Sequence, residues 1–158
     1  MGWKLREYSI YHQNGVKISF TNLINIKPLI FWFFPEDEEY YLEIVEFNNE
    51  LKKHNPCEYQ IIGICRTLPG NNNHKLINLE ENIILISDFD GTLTNVFNVV
   101  FFENTIEFSR PIIQKSIFLL SSDLNIKKEF RSKYQEWDLS EIQREIYYGL
   151  KNYSLQIK

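Results

Sequence analysis

Asp88 and Asp90 stand one residue apart at the end of an apolar run, in residues 81–102 (ENIILISDFDGTLTNVFNVVFF). Carboxylates brought together at the end of a buried strand can hold a hard cation and offer a nucleophile or a proton acceptor. The same letters admit a purely structural reading. Asp90-Gly91 between two apolar runs is a preferred pair for a tight hairpin turn, and the aspartates would then do no chemistry.

The other reactive side chains are dispersed. His12, His54 and His74 lie far apart, and Cys57 and Cys65 are the only cysteines. No HxxxH or CxxC spacing joins them into a metal centre. GxSxG, P-loop and GxGxxG patterns are absent, so neither a resident metal nor a cofactor is expected. Two thiols form no disulfide framework and read as reduced, partly buried cysteines.

The stretch ILISDFDGTLT, ending at Thr94, resembles the first motif of haloacid dehalogenase-like phosphatases: an apolar strand, then Asp-x-Asp-Gly-Thr. The resemblance implies that Asp88 attacks phosphorus, that Asp90 serves as acid and base, and that both help to hold Mg²⁺. Ile117–Ser121 could stand for a second motif, and Lys127 or Lys128 for a lysine. The paired acidic motif that would complete the metal site is missing. A doubly wound parallel core would need several strand–helix units after this motif. Residues 93–102, rich in Val and Phe and without a cap, read as strand rather than helix. The hairpin reading is therefore favoured, with strands Ile83–Phe89 and Thr92–Phe102, and the Mg-dependent phosphatase is the alternative.

The surrounding elements follow from pattern. Asn14-Gly15 joins apolar runs Lys4–Tyr11 and Val16–Phe20 as a hairpin. Leu29–Phe34 reads as a short buried strand. Pro35 opens a helix whose apolar stripe is Tyr40, Ile44, Phe47 and Leu51. Its acidic start and its basic end at Lys52, Lys53 and His54 suit the helix dipole, although Tyr41–Phe47 also alternates like a strand. Glu58–Cys65 reads as a strand, with Gly63 marking a bulge or close contact. Residues 69–74 read as an exposed loop, and Glu103-Asn104 as a turn before Thr105–Phe108. Together Glu58–Phe108 makes an antiparallel meander. Ile113–Leu120 is ambiguous. Ile126, Phe130, Tyr134 and Trp137 suggest one helix, and Leu139, Ile142, Ile146, Leu150 and Tyr153 a second, with a capping box at Ser140.

At 158 residues, 44% hydrophobic and without alanine, the chain reads as a single α+β domain over residues 1–158. A central, mainly antiparallel sheet with C-terminal helices packed on one face is expected. Net charge is −4, with the acidic excess in the first fifty residues, which argues against a nucleic-acid partner. The N-terminus has no apolar signal core, and the longest apolar run is too short to span a bilayer, so a cytoplasmic protein without a membrane partner is expected.

Glu36, Asp37, Glu38 and Glu39 lie beside Tyr40 and Tyr41, with Glu43, Glu46 and Glu50 following. Such an acidic, aromatic-edged patch could steer and anchor a basic protein. In size, acidity and the amino-acid usage of AT-rich coding sequence, the chain is similar to immunity proteins of bacterial toxin–immunity systems, including contact-dependent growth inhibition. That resemblance implies a non-enzymatic binding module whose partner is a cognate toxin domain, a nuclease for example, blocked by occlusion. Oligomeric state is not encoded in any pattern found.

Overall fold

The structure is a computed structural model that describes residues 9–12, 16–19, 27–35, 38–54, 57–66, 81–104, 106–107, 109–132 and 137–157. In chain order the elements are β1 (Ser9–His12), β2 (Lys17–Ser19), β3 (Leu29–Phe33), α1 (Glu38–His54), β4 (Gln60–Cys65) and β5 (Ile83–Ser87). They continue with α2 (Thr92–Val96), β6 (Val100–Asn104), β7 (Ser109–Ile113), β8 (Ser116–Leu120), β9 (Ile126–Arg131) and α3 (Leu139–Ile157). Seven strands form one sheet in the order β2-β1-β5-β4-β3-β8-β9, and β6 and β7 pair separately.

The α+β class and the mainly antiparallel sheet hold: β1–β2, β1–β5, β3–β8, β8–β9 and β6–β7 are antiparallel. The centre does not follow the expected meander, because β3–β4 and β4–β5 are parallel. Parallel neighbours need a crossover of a dozen or more residues, which α1 supplies between β3 and β4. Strands at such a centre are covered on both faces and lose the polar alternation of a one-sided sheet. All of β3 and all of β4 are buried.

One face is covered by α1 and α3. Ile44, Phe47 and Leu51 of α1 and Ile142, Ile146 and Leu150 of α3 pack on Ile30, Trp32, Ile61, Leu85, Ile117 and Leu119. Each fully buried side chain of this size contributes about 1.5–3 kcal/mol, so these two stripes hold the helices in place. Asp138 caps α3: its Oδ1 accepts the N–H groups of Ser140 (3.1 Å) and Glu141 (3.3 Å). The cap is therefore Asp138 and not the expected Ser140 box.

The other face is closed by α2 and the residues that follow it. Phe97 meets Phe31, Phe33 and Phe118 with ring centres 5.3, 5.1 and 5.0 Å away. Leu93, Val99, Ile113 and Leu124 complete this layer. Arg131 ties it to the sheet by donating to the carbonyls of Asn98 and Phe97, both at 2.9 Å.

Two further expectations are corrected, and the choice left open at Gly63 is decided. Ile126–Arg131 is strand β9 and not a helix. The turn expected at Glu103-Asn104 is strand, because β6 runs to Asn104. Gly63 marks close packing, since β4 pairs in unbroken register on both sides. A methyl group there would lie 2.8 Å from Leu85 Cδ2. The Asn14-Gly15 turn, the loop at 69–74 and Tyr134 fall outside the described residues, though β1 and β2 pair as the hairpin requires.

Candidate functional site

β5 ends at Ser87, in a parallel centre, and Asp88 is the first residue beyond it. The Asp88 N–H donates to the carbonyl of Cys65 at 2.7 Å, which stitches the ends of β5 and β4 together. Its carboxylate accepts from the N–H groups of Leu93 (3.0 Å) and Thr94 (2.8 Å). These are amide groups that the start of a helix leaves without partners, so Asp88 serves α2 as an anchor. Burial pushes the Asp88 carboxyl above its ordinary value, against the pull of the two N–H donors.

The expected hairpin at Asp90-Gly91 is thereby corrected. Gly91 takes φ 77° and leads directly into α2, so a single left-handed residue starts a helix where an Asp-Gly hairpin would need two. Asp90 is exposed and accepts the Thr92 N–H at 3.1 Å. The phosphatase alternative fails on the same geometry: both Asp88 oxygens face backbone amides. No group of three His, Cys, Asp or Glu among the described residues could hold a metal ion.

The carboxyl ends of parallel strands are where α/β folds present their sites. On the face covered by α1, alternation places Phe34, Cys65 and Ser87 in one row, with Lys115 at the start of β8 beyond Phe34. Cys65 and Ser87 are register partners across β4 and β5. Cys65 is 1% exposed, and the Ser87 hydroxyl is buried with no hydrogen-bond partner among the described residues. The Lys115 ammonium lies 5.3 Å from the centre of the Trp137 ring.

The helix above this row can be placed by its rise. Gly63 sits under Ile44, whose Cδ1 would be 3.2 Å from a methyl group there. Two strand residues advance about 6.6 Å and four helix residues about 6 Å, so Cys65 is level with the first turn of α1. The start of a helix carries partial positive charge. No cysteine lies within α1 itself. On the opposite face of the sheet, Arg66, Thr94, Asn95, Asn98 and Phe102 line a cavity of about 430 Å³.

Cys57 occupies the other end of β4. It lies just past the carboxyl end of α1, half-buried, with its thiol donating to the Leu150 carbonyl at 3.5 Å. Burial pushes this thiol up, and neighbouring Glu58 adds to the effect. Its position at the negative end of α1 acts in the same sense.

The acidic patch falls on and before α1. Glu36 and Asp37 lie outside the described residues, and Glu38, Glu39, Tyr40 and Tyr41 form the first turn of α1. Glu43 is half-buried and Glu46 exposed. Glu50 is exposed and accepts from Lys53 at 2.7 Å, which holds its carboxyl below the usual value. The structure thus strings Glu38–Glu50 of this patch along one helix, with the row of Phe34, Cys65 and Ser87 level with its start. Neither Cys65 nor Ser87 was singled out as reactive in the sequence. The available signal was a pair of apolar strands ending in Cys-Arg and Ser-Asp, joined by a connection long enough for a crossover.

No family model and no curated protein sequence matches the chain. Solved structures do. Xanthomonas campestris peroxiredoxin Q shares 19% identity, covering 96% of this chain and 94% of its own, at a TM-score of 0.76. The bacterioferritin comigratory protein of the same organism, in structures that concern its alkyl peroxide reduction activity, shares 18% at a TM-score of 0.74, covering 95% and 92%. Copper-bound ScoI of Arabidopsis thaliana shares 11% at 0.68, covering 92% and 96%. These likenesses establish a fold of the thioredoxin-like kind.

They also overturn the immunity reading, which rested on size, charge and composition alone. The likeness is to peroxiredoxin Q and the bacterioferritin comigratory protein and not to an immunity protein, so the cognate toxin partner, the contact-dependent growth-inhibition role and the non-enzymatic class are withdrawn. The phosphatase alternative is withdrawn with them. No helix among the described residues is long and apolar enough to cross a membrane.

Proposed function

We propose that this protein reduces peroxides through the thiol of Cys65, with an external thiol as reductant. The observation that carries the reading is the place of Cys65: the carboxyl end of β4, inside a parallel centre and level with the positive start of α1. The likeness to peroxiredoxin Q and to a protein studied for alkyl peroxide reduction supports it.

In the reaction the Cys65 thiolate attacks one peroxide oxygen and the O–O bond breaks. The sulfur becomes a sulfenic acid, and the other oxygen takes a proton and leaves as water or an alcohol. Cys57 cannot resolve this intermediate. It precedes a strand that runs from Gln60 to Cys65. At about 3.3 Å per residue that strand holds the two thiols far beyond the roughly 7 Å Cα separation a disulfide tolerates. A free thiol therefore attacks the sulfenic sulfur and expels water. A second thiol then releases Cys65 and carries away the disulfide. Two unbridged cysteines and a thiol reductant fit a cytoplasmic setting.

Because Cys65 is 1% exposed, attack requires a local opening of the structure around it, which makes turnover slow. Hydrogen peroxide consumption with excess dithiothreitol tests the reading. Cys57→Ser should keep the parent rate and Cys65→Ser should lose it at least tenfold. Equal rates in parent and Cys65→Ser would refute the assignment.

A further inference from the structure

The Ser87 hydroxyl is 2% exposed as part of its residue and has no hydrogen-bond partner among the described residues. A buried donor left unpaired is costly, so a hydroxyl retained in that state invites a search for what it serves. Its neighbour in register on β4 is Cys65, about 4.8 Å away across parallel strands. Alternation puts both on the α1 face, because Ile61 and Cys65 of β4 share a packed cluster with Ile83 and Leu85 of β5. The backbone holds the pair together: the N–H after Ser87, that of Asp88, donates to the Cys65 carbonyl at 2.7 Å.

We infer that Ser87 is a positioning residue for the Cys65 thiol, its hydroxyl turning about χ1 to donate to the thiolate and then to the sulfenate oxygen. The role rests on the peroxide reading for its purpose but not for its test. A hydroxyl needs only a rotamer change to aim at its neighbour, and a donor kept free of other acceptors loses nothing when it turns. Its effect is to favour the charged form of sulfur, since a hydrogen bond made to the ionised state stabilises that state.

The test is the titration of the Cys65 Cβ carbon by NMR, with ¹³C-labelled cysteine in a Cys57→Ser background. Ser87→Ala should raise the midpoint by about one pH unit, a roughly tenfold loss of thiolate below it. Ser87→Thr and Ser87→Val have nearly the same shape, so they separate the hydroxyl from volume. Thr should hold the parent midpoint and Val should follow Ala. Coincident midpoints for Thr and Val would overturn the inference whatever Ala does. A shifted midpoint in a protein that consumes no peroxide would leave the Ser87 assignment standing and remove the proposed reaction.

Discussion

At the amino end of β4, polar side chains spend their hydrogen-bonding capacity on one another. Asn48 and Asn82 exchange amide hydrogen bonds of 3.0 and 2.8 Å, and the Tyr59 hydroxyl donates to Asn48 Oδ1 at 2.8 Å. This ring locks α1 to the start of β5. At the carboxyl end, Asp88 anchors α2, but the Ser87 hydroxyl stays unpaired beside a buried thiol. The first arrangement is architecture. The second carries a buried, unsatisfied donor that architecture does not need, and such exceptions call for a functional account. The thiols repeat the contrast: Cys57 donates to a carbonyl and is pushed toward its neutral form, whereas Cys65 lies by the positive start of the same helix.

The largest expected effects come from breaking the structural bonds at either end. Asp88→Ala leaves the Leu93 and Thr94 amides orphaned and should cost about 3 kcal/mol in denaturant unfolding. Asn48→Ala, which strands Tyr59 and Asn82, should cost about as much. A second effect is pH dependence at the amino end. Burial pushes the Tyr59 hydroxyl up to about 12. The unfolded chain ionises first, near the ordinary 10.0, so stability falls as pH rises from there through the folded value. Tyr59→Phe should remove about 2 kcal/mol of that alkaline loss.

The carboxyl end should titrate at the opposite limit. The folded Asp88 carboxyl lies above its ordinary 3.8, so the unfolded state loses its proton first. The stability tied to its protonated form is complete below 3.8 and disappears as pH rises through the folded value. Stability measured across that window should fall in the parent, and Asp88→Asn should flatten the slope. A smaller effect is steric: Gly63→Ala, which meets Leu85, Ile44 and Phe34, should cost about 1–3 kcal/mol. The smallest belongs to Ser87→Ala. Removing an unpaired hydroxyl should leave stability unchanged or slightly raised, while removing a bonded one at Tyr59 lowers it. A large loss in Ser87→Ala would erase the contrast between the two ends.

Much of this contrast rests on elements that the sequence made legible. The stripes of α1 and α3 follow helical spacing, and Leu29–Phe33 is apolar throughout, so burial and pattern agree. Three features hid the rest. Ile126 and Phe130 are four residues apart, a step that shares a face in a strand as well as in a helix, so spacing alone could not exclude β9. Asp90-Gly91 carries the letters of a hairpin turn, but the deciding bonds come from Asp88 to amides five and six residues later, which no turn pattern encodes. Parallel pairing was equally hidden, because a buried strand has the same apolar letters in either direction. The helix between Phe33 and Gln60 and the long stretch between Cys65 and Ile83 were the hints of crossovers.

In the proposed reaction, sulfur chemistry belongs to the carboxyl end of β4 and not to the amino end. Trapping sulfenic acid with a dimedone-type reagent after limiting hydrogen peroxide, then mapping the adduct by peptide mass spectrometry, addresses it directly. An adduct on Cys65 is expected, with Cys57 still a free thiol. An adduct confined to Cys57, or none on either cysteine while the protein stays folded, would contradict it.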